Sequence, residues 1–221
     1  MGASQYDWSV SELFAPVWLD EETCACTEGV AKPYGIKYAV KLTRSTAFGT
    51  GGHPITGAVY RELKELILGD DPCLQDKGRI LEVDAGSGVL LLLAKKLRMD
   101  LQASGVVPQE ELDAFTRNKK RNKILQLDAI PFGDFGSPSS CTKYVGAFDL
   151  ILTQRGQQKW QVSFDQTLGF LHTCLAPTGK IVYSGFDYAE LPLALHIFGE
   201  FFHVSKTVVD QGWPVLIGRP R

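Results

Sequence analysis

The chain has 221 residues, 23 basic and 25 acidic side chains, a formal net charge of -2 and a hydrophobic fraction of 44%. That suffices for one sizeable domain core with a short extension, and the near-balanced charge argues against a generally basic nucleic-acid surface while leaving room for a local patch. No apolar run nears the roughly 20 residues that a membrane span needs.

The first residues show neither a basic region nor an apolar segment, so no secretory leader is expected. Cys24, Cys26, Cys73, Cys141 and Cys174 are odd in number and scattered, which does not suggest a disulfide framework. Reduced thiols in a cytoplasmic protein are the expectation. Cys24-x-Cys26 lacks a second ligand pair, so no metal site is expected.

Residues 1 to 44 read as an irregular N-terminal arm pinned by Trp8, Phe14, Trp18 and Tyr34, with one short alternating strand over 35–42. Residues 45 to 221 read as one domain. A glycine-rich loop over 45–56 closes on His53-Pro54. Pro54 suits the first turn of a helix, and Ala58, Val59, Leu63, Leu66 and Ile67 then recur at helical spacing.

After the break at Gly69-Asp70-Asp71-Pro72, Arg79 to Val83 reads as the first sheet strand. Gly86 and Gly88 then turn the chain into an apolar helix over 89–97. Without a Cβ, Gly86 and Gly88 allow positive φ and close approach of a ligand to the main chain, and the following helix presents unpaired N–H groups.

A strand is expected over 101–107, then a helix from Pro108 to the basic run Lys119-Lys120-Arg121, whose charge suits a helix C-terminus. A third strand is expected at 125–127, followed by a loop over 131–140. Phe148 to Leu152 is the most strand-like run of the second half. A helix over 164–175, a turn at 176–179, a strand over 180–185 and a helix over 188–201 follow. Two strands, 204–209 and 213–218, close the chain as a hairpin. This alternation predicts a doubly wound α/β fold with a mostly parallel seven-stranded sheet and an antiparallel C-terminal hairpin.

The loop Ala47-Phe48-Gly49-Thr50-Gly51-Gly52-His53-Pro54-Ile55-Thr56 and the turn Glu82-Val83-Asp84-Ala85-Gly86-Ser87-Gly88 resemble those of class I S-adenosylmethionine-dependent methyltransferases, within them the bacterial ribosomal-protein methyltransferases of PrmA type. Phe148 to Leu152, Leu175 to Lys180, Ser184-Gly185 and the ending Gly212 to Arg219 extend the resemblance from about residue 45 onward. It implies a Rossmann-like fold and an S-adenosylmethionine site formed by Thr50, Gly51, His53, Thr56, Glu82, Asp84, Gly86 and Gly88. It also places Gln154 beside the reacting methyl, where the family has asparagine.

Two departures stand out. Asp84 replaces the glycine that approaches the methionine part of the cofactor. The acid that holds the ribose hydroxyls falls on Val106, or on Gly105 with a shift of one residue, and neither side chain can accept those bonds. The resemblance therefore implies methyl transfer to a protein or small-molecule nucleophile, with Gln154 orienting it. A methyltransferase-fold pseudoenzyme with a binding or scaffold role is the alternative. Neither a membrane nor a nucleic-acid partner is expected.

Overall fold

The computed structural model describes residues 15–43, 51–69, 71–75, 77–135, 140–154 and 164–221. The expected contributions of Trp8, Phe14 and Thr50 fall outside these residues. Among the described residues no helix is long and apolar enough to cross a membrane.

Strands β1 (Val17–Asp20), β2 (Thr23–Thr27) and β3 (Tyr38–Leu42) form a small sheet in the order β1-β2-β3, the first pair antiparallel and the second parallel. An irregular arm with one strand over 35–42 was the expectation here; β3 lies within that range, while β1 and β2 extend it into a sheet that was not expected. The reason it escapes pattern reading is burial: every residue of β2 is buried, so Thr23-Cys24-Ala25-Cys26-Thr27 shows no apolar–polar alternation. Leu19, Ala25, Val40 and Leu42 feed the main core, while Cys24, Cys26 and Ile36 make a satellite cluster on the other side. Burial also pushes the Cys24 thiol up to about 12.

Helix α1 (Pro54–Leu68) starts as its sequence dictates. Pro54 occupies the first turn, and His53 Nδ1 accepts the Ile55 N–H at 3.2 Å, satisfying one donor that the helix itself cannot. Strand β4 (Arg79–Val83) leads into helix α2 (Val89–Leu97), buried along Val89 to Lys95. Lys95 is part of that buried run because its Nζ turns to the carbonyls of Met99 and Leu101, the latter at 2.6 Å, tying down the chain after the helix. Strand β5 (Gln102–Val107) is followed by one 3-10 turn and helix α3 (Leu112–Arg121).

Strand β6 (Leu127–Pro131) lies two residues later than expected. Leu125 is 71% exposed whereas Leu127 is buried, and it is Leu127 to Pro131 that pair with Ala103 to Val107. Two short helices, α4 (Phe132–Phe135) and α5 (Ser140–Lys143), precede strand β7 (Phe148–Gln154), helix α6 (Phe164–Cys174) and strand β8 (Leu175–Ser184). The expected turn at 176–179 is instead an irregularity inside β8: Phe148 pairs with Leu175 and Leu150 with Lys180. Helix α7 (Leu191–Phe201) and the hairpin β9 (Phe202–Asp210) and β10 (Trp213–Pro220) complete the chain.

The main sheet has seven strands in the order β6-β5-β4-β7-β8-β10-β9, parallel except for β10, which runs antiparallel to β8 and β9. One face, including Ile80, Leu150 and Val182, packs on α1, α2 and Phe115 of α3. The other, including Leu81, Val83 and Ile151, packs on α6 and α7 through Leu168, Leu171 and Phe198. This is the doubly wound architecture that the alternation of strands and helices predicts. Successive strands depart from β4 in opposite directions, β5 to one side and β7 to the other, which opens a crevice at their carboxyl ends.

Candidate active site

The crevice is floored by the turn between β4 and α2. Asp84, Gly86 and Gly88 all take left-handed backbone angles, with φ of 61, 52 and 77°. Gly88 is the N-cap of α2 and supplies no side-chain cap. A side chain there would drive into the Phe115 ring, since a Cβ would lie 2.7 Å from it, so glycine is required by both angle and space. Asp84 occupies the same backbone region, which a residue with a Cβ adopts at a cost of about 1 kcal/mol. The turn is also stitched internally: Gly88 N–H donates to Ala85 O at 2.7 Å, and Ala85 N–H donates to Val106 O at 2.9 Å, so the end of β5 holds the turn through its backbone.

Glu82 lies beneath this turn and is buried. It accepts the backbone N–H of Leu91, a first-turn donor of α2 that the glycine cap leaves unserved. Its Oε2 has no hydrogen-bond partner among the described residues. Burial, then the neighbouring Asp84 carboxylate, raise its pKa well above the ordinary carboxyl range. Burial and the Asp84 carboxylate thus favour the neutral, protonated form of Glu82 beneath the turn.

Three other segments end at the same edge. Gln154, half-buried, is the last residue of β7 and pairs in register with Ser184, the last of β8. Ser184 is fully buried and its Oγ is without a hydrogen-bond partner among the described residues. On the far side, the His53 ring meets the Trp213 indole edge-on at 4.6 Å, joining the start of α1 to the start of β10; burial lowers the His53 pKa. Thr56 is buried one turn into α1, and its N–H donates to His53 O at 2.9 Å.

Of the residues expected to form the site, the topology therefore brings Asp84, Gly86, Gly88, Gln154, His53 and Thr56 to one edge, with Glu82 below. Gly51, at φ 98°, sits instead against Val17, Leu19 and Ala25 of the small sheet. Val106 is buried in the core with Val83 and Phe135, and only its carbonyl serves the turn. The alternative position, Gly105, is closed to any side chain: a Cβ would lie 2.9 Å from Ala85 Cβ and 3.0 Å from Phe115. No carboxylate can be accommodated at 105 without moving Phe115.

Sequence reading gave Ser184 no role beyond its part in the resembling pair Ser184-Gly185, and it missed Asn118. Asn118 is fully buried on α3, donates to Ser87 O at 3.0 Å, and accepts from Thr43 N–H at 2.7 Å and Thr43 Oγ1 at 3.0 Å. It ties the turn to the end of β3. One turn on, Asn122 pairs with both backbone groups of Lys41, at 2.8 and 2.7 Å, covering the open edge of β3 as another strand would. The i, i+4 spacing of two asparagines in a helix whose end is otherwise basic was the available signal.

The turn fits the methionine end of S-adenosylmethionine by its backbone, with the unserved Glu82 oxygen beneath it; the ribose end has no side-chain acceptor from β5. Solved structures share the fold. A ribosomal protein L11 methylase from Lactobacillus delbrueckii superposes with a TM-score of 0.68 over 94% of this chain and 99% of that one, at 19% identity. A precorrin-6y C5,15-methyltransferase from Geobacter metallireducens does so with a TM-score of 0.56 over 75% and 89%, at 13% identity. In sequence, a ribosomal protein L11 methyltransferase from Paraburkholderia phytofirmans is 22% identical over 217 residues, 97% of this chain; the chain spans 66% of that relative's length. The family model for ribosomal protein L11 methyltransferase (PrmA) matches residues 3–138, more than half of the chain. The chain therefore belongs to the ribosomal protein L11 methyltransferase (PrmA) family.

Proposed function

We propose that this chain is an S-adenosylmethionine-dependent methyltransferase acting on a nitrogen nucleophile of a protein, with ribosomal protein L11, named for its relatives, as the first acceptor to test. The observation that carries this reading is the left-handed Asp84-Gly86-Gly88 turn at the switch point between β5 and β7. When bound there, S-adenosylmethionine supplies a methyl activated by its sulfonium. The turn presents backbone N–H groups, and Asp84, in the position of a glycine, offers its carboxylate to the cofactor's ammonium. Gln154 presents an amide at the end of β7 to orient an incoming amine. His53 and Trp213 form one wall and exclude water. The chain's work is chiefly positioning, the effect expected for in-line transfer between two held groups.

A second reading, a cofactor-free binding subunit, is favoured by one observation: Phe115 and Ala85 leave no place for an acid at 105, and the Val106 side chain lies in the core. Loss of one charged hydrogen bond weakens binding by about 1.5–3 kcal/mol, so cofactor affinity below that of relatives with the acid is expected under the first reading. Titration calorimetry with S-adenosylmethionine and S-adenosylhomocysteine decides between them, followed by transfer of labelled methyl to purified L11. Heat of binding in the micromolar to submillimolar range supports the enzyme. Absence of binding at millimolar ligand by both the parent chain and Asp84→Gly sinks it.

A further inference from the structure

We propose that a basic cavity at the far ends of α2 and α3 binds the phosphates of a single-stranded RNA. The cavity measures about 300 Å³ and is lined by Lys32, Lys37, Lys41, Lys96, Arg121 and Lys123, with Cys26, Ala39 and Asn122 between them. These cations come from three separate places in the chain: the β2–β3 segment, the C-terminal turn of α2, and the C-terminus of α3. Only Arg121 has a carboxylate partner among the described residues, Glu28 at 2.8 Å; the five lysines make no ion pair there. In a chain of net charge -2, such a concentration of uncompensated charge repels itself in the free protein and is relieved by an anion.

Compensation of the helix dipole explains basic residues in the last turns of α2 and α3. It does not explain Lys32, Lys37 and Lys41, which belong to neither helix. Nor does it explain the backbone of Lys123. Asn122 ends α3, Ile124 N–H donates to Lys119 O at 3.0 Å, and Lys123 N–H donates to Lys120 O at 3.0 Å, the bonding of a helix stop whose left-handed residue is normally glycine. Lys123 fills that position at φ 57°. The cavity lining thus carries a charged side chain at a backbone position that glycine would occupy with less strain.

The number and spread of the cations favour several linked phosphates over a single one. Tyr34, in the same segment as Lys32 and Lys37, is fully exposed and offers a ring on which a base can stack. A basic groove with an exposed aromatic is the combination that holds single-stranded nucleic acid without sequence preference. The cavity is distinct from the methyl-transfer edge, because α2 and α3 run from the carboxyl edge of the sheet toward its opposite edge, and it goes beyond the function proposed above.

The test is fluorescence anisotropy of the full chain with a labelled oligouridylate of about 12 nucleotides. Binding in the micromolar range at low salt is expected, with log K falling against log salt at a slope of about -3 if four phosphates are neutralised. Lys41→Gln with Lys96→Gln should weaken binding about tenfold or more. Lys123→Gly should weaken it severalfold while the thermal midpoint holds or rises, separating binding from folding. Tyr34→Ala should weaken it while leaving the salt slope unchanged. Three results each overturn the proposal: no binding, binding indifferent to the lysine changes, or competition by polyglutamate or inorganic tripolyphosphate as effective as that by unlabelled RNA.

Discussion

The two edges of the main sheet treat their charged groups in opposite ways. At the amino edge, Asp149 accepts from Arg79 N–H at 2.8 Å, from Nε at 3.0 Å and from Nη2 at 2.9 Å, and Asp71 pairs with Lys180. Bonds from the partner cations offset desolvation there and hold the carboxyls of Asp149 and Asp71 below the ordinary range. At the carboxyl edge, among the described residues, Glu82 Oε2 and Ser184 Oγ have no hydrogen-bond partner, burial raises the Glu82 pKa, and Asp84 bears a left-handed backbone. The amino edge is built for stability. The carboxyl edge carries unsatisfied groups and backbone strain, the features expected of a ligand-binding edge.

The largest effect that would test this contrast is at the link between the turn and the small sheet. Asn118→Ala removes three buried hydrogen bonds, and a loss of about 3 kcal/mol of unfolding free energy in urea is expected. Next, Asp149→Ala strands the Arg79 guanidinium and should cost about 2 kcal/mol, an amount tempered by the solvent that reaches Arg79. Because the Asp149 carboxyl is held below its unfolded value, its contribution is present above the ordinary carboxylate pKa and lost as pH falls through the depressed one. Urea midpoints at pH 7 and pH 3 should converge for parent and variant; equal gaps at both would contradict the amino-edge account.

Glu82 works in the opposite sense. With its folded pKa above its unfolded one, the folded state binds the extra proton, so stability declines as pH rises from the ordinary carboxyl pKa toward the raised value. Glu82→Gln should flatten that decline, so that its stability relative to the parent is greater at pH 8 than at pH 5. A variant with an unchanged pH slope would show that Glu82 is not the strained group. The smallest change is Asp84→Gly: relief of the left-handed angle should raise stability by about 1 kcal/mol or less. Its effect on S-adenosylhomocysteine affinity, read by calorimetry, reports whether the Asp84 carboxylate crowds the cofactor or holds it.

Much of this molecule was legible in one dimension. The helical spacing after Pro54, the apolar runs at 79–83, 148–152 and 180–184, and the Asp210 to Trp213 hairpin all correspond to observed elements, because each depends on periodicity or turn chemistry within a few residues. The glycine turn was legible for the same reason: positive φ leaves a mark on sequence. Strand β2 was not, since full burial erases alternation, and β6 was misplaced because Leu125 and Leu127 are indistinguishable until one of them is buried.

The candidate site divides along the same line. Local chemistry placed Gly86, Gly88 and His53 at the ends of elements, and the family resemblance exposed Asp84 and the missing acid after β5. Tertiary structure alone decided that Phe115 closes the space at Gly105, that Asn118 binds the turn to β3, that Ser184 stands beside Gln154, and that lysines far apart in the chain surround one cavity. Each of these is a meeting of residues separated by ten to ninety positions, set by sheet order and helix packing, and such long-range proximity has no periodic signature for a sequence to carry.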